Sequence, residues 1–460
     1  MSGHREKPGF VLIGVLVVTV LTAMIAAGLL YRVQAETAAA AALGDGEQAY
    51  NTAISGIHTA LAVLTTAPGD AGEPADSASG APAPRFIADL SQWYDNPQIF
   101  RRRLVADDGA NRWYFTIYAP SAIDEKNVRY GLIDESGKLV LTADGASQQR
   151  IALLPGMTQP LLDALMDYCD PDSTTRTDGA EQDYYDQLPK PYLIPNGPLW
   201  SVEELLMVKG FTGREVYGED ANFNGLLEPN EDDGNEVFPP DDADGRLNPG
   251  LVAYLTVTRF STGRETTPEG LPRLNINSAS SDDLSALGLS QQTIDGIVGS
   301  ARNRPRFTHP ADILRAMPGI SNEDLRLVMA YLSAGGRARP GLVNVHTAPV
   351  AVLATLLGGD SALAQQVVDA RTQLDALDRT STAWLYAKRI LTAEQYVAIA
   401  PALTPRGYQY RLRCVGFGLP SGRFRVLEAV IDPHGPQKIA YLRDITRAGV
   451  PFSLDEAVEK

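Results

Sequence analysis

Residues 10–31 are apolar almost throughout and carry no charged side chain, and that run limits what this chain can become more than any other stretch. At about 1.5 Å per residue it is long enough to cross the hydrocarbon core of a bilayer as one helix. His4, Arg5 and Lys7 precede it, and basic flanks tend to stay in the cytoplasm, so the long remainder is expected on the other side. A secretory signal is the competing reading. Val33-Gln34-Ala35 would serve as its small-residue cleavage site, but the apolar run is too long for one.

A chain of 460 residues is long for one domain, so two or three are expected. The net charge of −16, with a pI near 4.8, speaks against a nucleic-acid surface, because phosphates are repelled before contact; an acidic balance suits calcium better. The two cysteines, Cys169 and Cys414, rule out a disulfide scaffold. Spacing leaves open whether they pair or stay as two buried thiols.

Beyond the apolar run, residues 35–64 are alanine-rich and free of proline, with Leu43, Ile54, Ile57, Leu61 and Leu64 at loosely helical spacing. The spacing predicts one long helix continuing outward from the membrane. Residues 65–85 are rich in Pro, Gly, Ala and Ser and predict a flexible connection. Residues 113–118, 130–133 and 138–142 then predict a small antiparallel sheet, with Glu135-Ser136-Gly137 turning between the last two. Residues 408–415, 423–431 and 438–443 form a second strand group, broken at 416–422 and 432–435. Gly416-Phe417-Gly418 reads as a turn between strands.

Between the strand groups lies a repeat. Asn275-Ile276-Asn277-Ser278-Ala279 and Asn344-Val345-His346-Thr347-Ala348 each lead into helix, glycine turn and helix, ending near Arg302 and Arg371. A weaker copy begins at Leu139-Val140-Leu141 and turns at Pro155-Gly156. A further helix follows each, over 202–209, 310–317 and 383–391. Helix-hairpin-helix units of this kind can present backbone N–H groups to a phosphate, as in a membrane-anchored DNA-binding protein of a competence-type system. These hairpins are not ringed by Lys or Arg, so packing of helices on one another is the better reading.

The most specific chemical signal lies at 220–231, which fits the calcium-loop pattern D-x-[DN]-x-[DN]-G-x5-E at every specified position. Asp220, Asn222 and Asn224 would give side-chain oxygens, Leu226 its carbonyl, and Glu228 a carboxylate directly or through water. Glu231 would chelate with both oxygens, and Gly225 permits the turn. Pro229 and Asp232-Asp233-Gly234 argue against an exiting helix. Asp241, Asp242 and Asp244 follow at once, to complete the site or form a second, so the calcium-binding segment spans 216–248. Asp170, Asp172 and Glu181 make a third, weaker acidic group, with a solvated loop as its competing reading. No catalytic constellation is visible; the five histidines are dispersed without zinc spacing.

Taken together, these features resemble the K-type minor pseudopilin of the type II secretion system, also called general secretion pathway protein K. The resemblance rests on Pro8-Gly9-Phe10, Leu154-Pro155-Gly156-Met157, the block 167–172, Gly179-Ala180-Glu181, Tyr184-Tyr185, Asn196-Gly197-Pro198, the block 203–210 and Asn275-Ile276-Asn277-Ser278-Ala279. Tyr168 and Cys169 depart from the arginine and tryptophan expected in the aspartate-rich block, and Leu139-Val140-Leu141 lacks the usual asparagines.

The resemblance implies an α+β fold: an N-terminal transmembrane, pilin-like helix, a small antiparallel sheet, and a large inserted helical domain of helix-hairpin-helix-like repeats. The expected divisions are a prepilin leader at 1–9, the helix at 10–64, the linker at 65–85, pilin-like strands at 86–145, the insert at 146–403 and closing strands at 404–460. It also implies cleavage by a prepilin peptidase after Gly9 and N-methylation of Phe10. The expected role is structural rather than enzymatic: a calcium-stabilised (Ca2+) subunit at the tip of a pseudopilus anchored in the inner membrane, with its bulk in the periplasm. Implied partners are the other minor pseudopilins, the major pseudopilin and exported proteins, with no nucleic acid. Counted from Phe10, the fifth residue is Gly14, where most pilins carry a glutamate that meets a neighbour's amino terminus. A subunit with no neighbour ahead would not need that charge; close helix packing is the other reading of the glycine.

Overall fold

The computed structural model describes residues 8–65, 90–121, 124–142, 144–234, 236–261, 266–302, 307–335 and 341–454. The leader before Pro8 and the expected linker from residue 66 onward lie outside the described residues. Helix α1 (Pro8–Thr65) is a single element of 58 residues. Pro8 stands at its first turn, where a missing N–H costs nothing, and no proline follows until Pro68. Its first half is long and apolar enough to cross a membrane, and side chains such as Leu16, Leu21, Ile25 and Leu29 stand exposed. Its second half is packed: Ala49, Ala53, Ile57, Ala60 and Leu64 recur at helical spacing and are buried. Ile57 and Leu64 contribute about 1.5–3 kcal/mol each by leaving water.

The strands, in chain order, are β1 (Arg103–Asp107), β2 (Arg112–Pro120), β3 (Val128–Arg129), β4 (Ile133–Asp134), β5 (Leu139–Leu141), β6 (Leu255–Val257), β7 (Leu274–Asn275), β8 (Leu332–Ser333), β9 (Val343–Asn344), β10 (Leu403–Thr404), β11 (Tyr410–Leu419), β12 (Phe424–Ile431) and β13 (Ile439–Asp444). Seven of them form one antiparallel sheet in the order β1-β2-β11-β12-β13, with β3 on β2 and β4 on β11. Helix α1 lies across β2, β11 and β12, and its buried stripe shares a core with Phe115, Ile117, Leu412, Cys414, Leu427 and Ile431.

Two expected features of the sheet come out differently. Gly416-Phe417-Gly418 is not a turn; β11 runs straight through it, and the chain reverses at 420–423 instead. The glycine is there because the helix comes close. A Cβ on Gly416 would lie 2.2 Å from the Ala49 carbonyl oxygen, and one on Gly56 of α1 would lie 2.4 Å from Cys414 Sγ. The expected third strand over 138–142 also leaves the sheet. Leu139, Val140 and Leu141 are all buried, so β5 has no water-facing side to offer a sheet edge, and it pairs in parallel with β6 instead.

Everything between β4 and β11 is an insert with its own large core. It consists of three segments, each opened by one short strand and closed by another that pairs with it in parallel: β5 with β6, β7 with β8 and β9 with β10. Short helices fill each interval. Gln159–Cys169 follows the Gly156 turn; Ser281–Ala286 and Gln291–Arg302 flank Gly288; Val350–Leu356 and Ser361–Arg371 flank Gly358. The further helices are shorter than expected, a 3-10 turn at Val202–Met207 and single helical turns at Ile313–Ala316 and Trp384–Ala387. Helices at Asn322–Tyr331 and Ala393–Ile399 add to them. Both cysteines are free: Cys414 lies under α1 and Cys169 packs against the insert's core.

The helix–sheet contact predicts that Gly416→Ala is destabilising by about 1–3 kcal/mol, because the added methyl pushes α1 off β11. Gly14→Ala, with nothing within 4 Å, leaves the midpoint unchanged. Thermal melting followed by circular dichroism in detergent distinguishes the two.

Candidate functional site

Helix Gly213–Tyr217 ends at Gly218, and the 220–231 loop follows directly. Asp220 is buried; its Oδ1 accepts the Asn224 N–H at 2.9 Å and its Oδ2 the Gly225 N–H at 2.8 Å. Asn222 Oδ1 accepts the Asn224 N–H, and Asn224 Oδ1 accepts the Leu226 N–H at 2.7 Å. Both amide groups donate to the Glu228 carboxylate, at 2.8 and 3.0 Å. Glu231 accepts the Ala221 and Glu228 N–H groups at 2.8 and 3.0 Å, which closes the loop's two ends. Pro229–Glu231 is one 3-10 turn, so no helix exits there.

The donor set is entirely oxygen, as a hard cation requires. Burial pushes the Asp220 carboxyl above its ordinary value, and it does the same to Glu231, where the charges of Asp220 and Glu228 add to the effect. Asp241, Asp242 and Asp244 do not add their side chains to this ring. Each caps its own turn: Asp241 accepts from Gly234 and Ala243, Asp242 from Asp244, and Asp244 from Arg246.

The loop is pressed against the sheet. Gly225, at φ +74°, packs so tightly that a Cβ would lie 2.5 Å from Pro120 Cγ at the end of β2. The Asn224 carbonyl accepts Arg413 Nη1 at 2.7 Å. Leu227 N–H donates to the Glu125 carbonyl, and Leu247 N–H donates to the Glu125 side chain. A cleft of about 1120 Å³ runs beside the loop, lined among others by Asn222, Phe223, Arg411, Arg413, Arg425 and Arg443.

From Arg413 a buried chain of charges leads across to the insert. Arg413 Nε meets Glu428 at 3.3 Å, Glu428 meets Arg411 Nη1 at 2.8 Å, and Arg411 Nε meets Glu135 at 2.7 Å. Glu135 also meets Lys138 at 3.3 Å and accepts Thr256 Oγ1 on β6. Burial alone would raise the Glu135 carboxyl; Arg411 and Lys138 override it and hold it at about 2. Next to it, Asp134 accepts Asn344 Nδ2 at 2.6 Å and Thr347 Oγ1 at 2.7 Å, and burial pushes it up to about 6. The sequence pattern placed Glu135 in a turn between two strands. The signal available was an acidic residue at a strand's end and two arginines alternating along β11.

With this geometry in view, comparison with known proteins points to one family for part of the insert. Residues 145–217 match the family described as Type II secretion system (T2SS), protein K. That match covers one segment of the insert. The matched segment runs from the first helix of the insert to the helix that leads to Asp220. Among solved structures the chain is similar to the crystal structure of the GspK-GspI-GspJ complex from the enterotoxigenic Escherichia coli type 2 secretion system. That similarity has 12% identity, covers 90% of this chain and 99% of that one, and has a TM-score of 0.38. The curated proteins give no match.

Breaking the charge chain at Arg411 strands Glu135 and Glu428 in the interior. Arg411→Met is therefore expected to cost about 3–5 kcal/mol in urea unfolding. Because Glu135 is held below its ordinary value, its contribution is complete above about pH 4.5 and is lost as pH falls toward about 2. The acid slope in that window should flatten in Arg411→Met.

Proposed function

We propose that this chain is a type II secretion system protein K, a minor pseudopilin that serves as a structural and assembly subunit at the tip of the secretion pseudopilus. The observation that carries this reading is the match of residues 145–217 to the protein K family in a chain that also carries one apolar helix of membrane-spanning length. In this reading the leader is cut after Gly9 by a prepilin peptidase and Phe10 becomes the methylated amino terminus. The first half of α1 sits in the inner membrane, and the sheet and insert lie in the periplasm. Gly14, with open space around it, fits a subunit that has no neighbour ahead to pair with.

Partners in this role are the other minor pseudopilins and the major pseudopilin, with exported proteins met at the tip. The loop at 220–231 binds Ca2+ through Asp220, Asn222, Asn224, Leu226, Glu228 and Glu231; a cation there would offset the like charges of its three carboxylates. The bond from the Asn224 carbonyl to Arg413 would let that cation steady the insert on the sheet. The three strand-bounded segments serve as helix-hairpin-helix-like packing modules. Their helices turn apolar side chains such as Leu284, Ile294, Val352 and Val367 into the core, which supports packing over nucleic-acid binding.

Mass spectrometry of the full chain, expressed with a prepilin peptidase, tests the reading. The mature protein is expected to begin at a methylated Phe10 and to co-purify with the other minor pseudopilins. An intact Met1 terminus in the presence of active peptidase would contradict it.

A further inference from the structure

We propose that the outer edge of β13, with the arginine-lined cleft into which it runs, takes up an extended, acidic segment of a partner protein as one more strand of the sheet. β13 ends the strand order, and among the described residues no strand pairs with its outer side. The Ile445 N–H donates to the Val426 carbonyl of β12 at 2.9 Å. Antiparallel pairing alternates along a strand, so Arg443 and Tyr441 also turn their backbone groups toward β12, while Leu442 and Asp444 turn theirs outward. Open N–H and C=O groups along a sheet edge are what an added strand pairs with.

Side chains on both faces of that edge are ready for an incoming strand. On the insert's side stands Trp200, 66% exposed, whereas Trp93, Trp113 and Trp384 are buried. The Arg259 guanidinium lies 4.8 Å from its ring centroid and also reaches Phe260, which packs edge-on against Tyr441 of β13. On the other face Leu442 is exposed beside Ala429, its partner on β12, which belongs to the core under α1. An added strand sends successive side chains to opposite faces, so it meets Trp200 on one and Leu442 on the other.

Charge selects the kind of segment. Past Asp444 the chain borders the cleft of about 1120 Å³, where basic lining residues outnumber acidic ones although the whole chain carries a net charge of −16. Arg413 is engaged by Glu428 and the Asn224 carbonyl, but Arg443 reaches Glu203 only at 3.7 Å, and Arg447 pairs with no carboxylate among the described residues. Both are exposed, and arginine forks suit carboxylates. Phe223 rests on Tyr217 with ring centroids 4.0 Å apart and gives the cleft an apolar wall. The volume lies above the range of about 300–1,000 Å³ usual for small-molecule sites, which favours a stretch of polypeptide. A second copy of this chain fits poorly, because its other free edge, β1, opens on Arg101-Arg102-Arg103 and brings like charge.

The test titrates the full chain in detergent with an eight-residue peptide alternating glutamate and valine, read by tryptophan fluorescence. Binding is expected to shift Trp200 emission to the blue and to weaken as salt is raised. Arg443→Glu and Arg447→Glu, both at exposed positions and checked for folding by circular dichroism, should each weaken binding about tenfold. Two further peptides, N-methylated on the glutamates or on the valines, probe the backbone without touching the protein. Only the one whose methyl groups face β13 should lose binding. No binding of the parent peptide, equal binding of a lysine-for-glutamate peptide, or equal binding of both methylated forms would overturn the proposal. Self-association of the chain abolished by Arg447→Glu would give the edge to a second copy and overturn it as well. The proposal goes beyond the pseudopilin reading and needs no processing at Phe10, so the two can fail separately.

Discussion

The ion chain Glu135–Arg411–Glu428–Arg413 crosses the seam between sheet and insert, where the insert's core also takes in Val430 of β12 and packs against Tyr441 of β13. Such a chain is poor at adding net stability, because each charge must first be taken out of water. What it supplies is position. Arg411 and Arg413 stand on β11, in the middle of the sheet, while Glu135 sits in the 3-10 turn where the chain leaves β4 for the insert. Only one seating of the insert satisfies all of these groups, and any other leaves a buried charge alone. Asp134 repeats the arrangement with neutral partners, tying the sheet to Asn344 and Thr347 at the start of the third strand-bounded segment.

Other features of the molecule take their places around that seam. The 220–231 loop reaches the sheet through Arg413, a member of the chain, so the loop and the seating of the insert share one residue. On the opposite side α1 is fixed by contact distance rather than by charge. Glycines at 56 and 416 let backbone approach backbone, and Ala49 and Ala53 continue the flat surface. The same long helix is thus gripped at one end by the sheet and apolar and exposed at the other.

Much of this was legible in the residues. The long helix follows from an apolar run joined to an alanine-rich stretch without proline, and three of the closing strands follow from β-branched and aromatic runs. The tight loop at 220–231 was legible because its pattern is local: its aspartate, asparagines, glycine and glutamates lie within twelve consecutive positions. What stayed hidden depended on partners far away in sequence. Leu139-Val140-Leu141 reads as a sheet strand until β6, more than a hundred residues on, takes it as a parallel partner. Gly416-Phe417-Gly418 reads as a turn until a helix is seen to need the space. Glu135 reads as a turn residue because burial is a property of the assembled fold and it carries no local mark of it.

The central claim is that the seam makes sheet and insert one cooperative body, and hydrogen–deuterium exchange of the native chain tests it most directly. Amides in the middle of β11 and those of the insert's paired strands, such as Val343 and Leu403, should open with a common free energy and a common dependence on denaturant. An insert that exchanges at markedly lower denaturant while β11 stays protected would show two independent bodies, and would contradict the account.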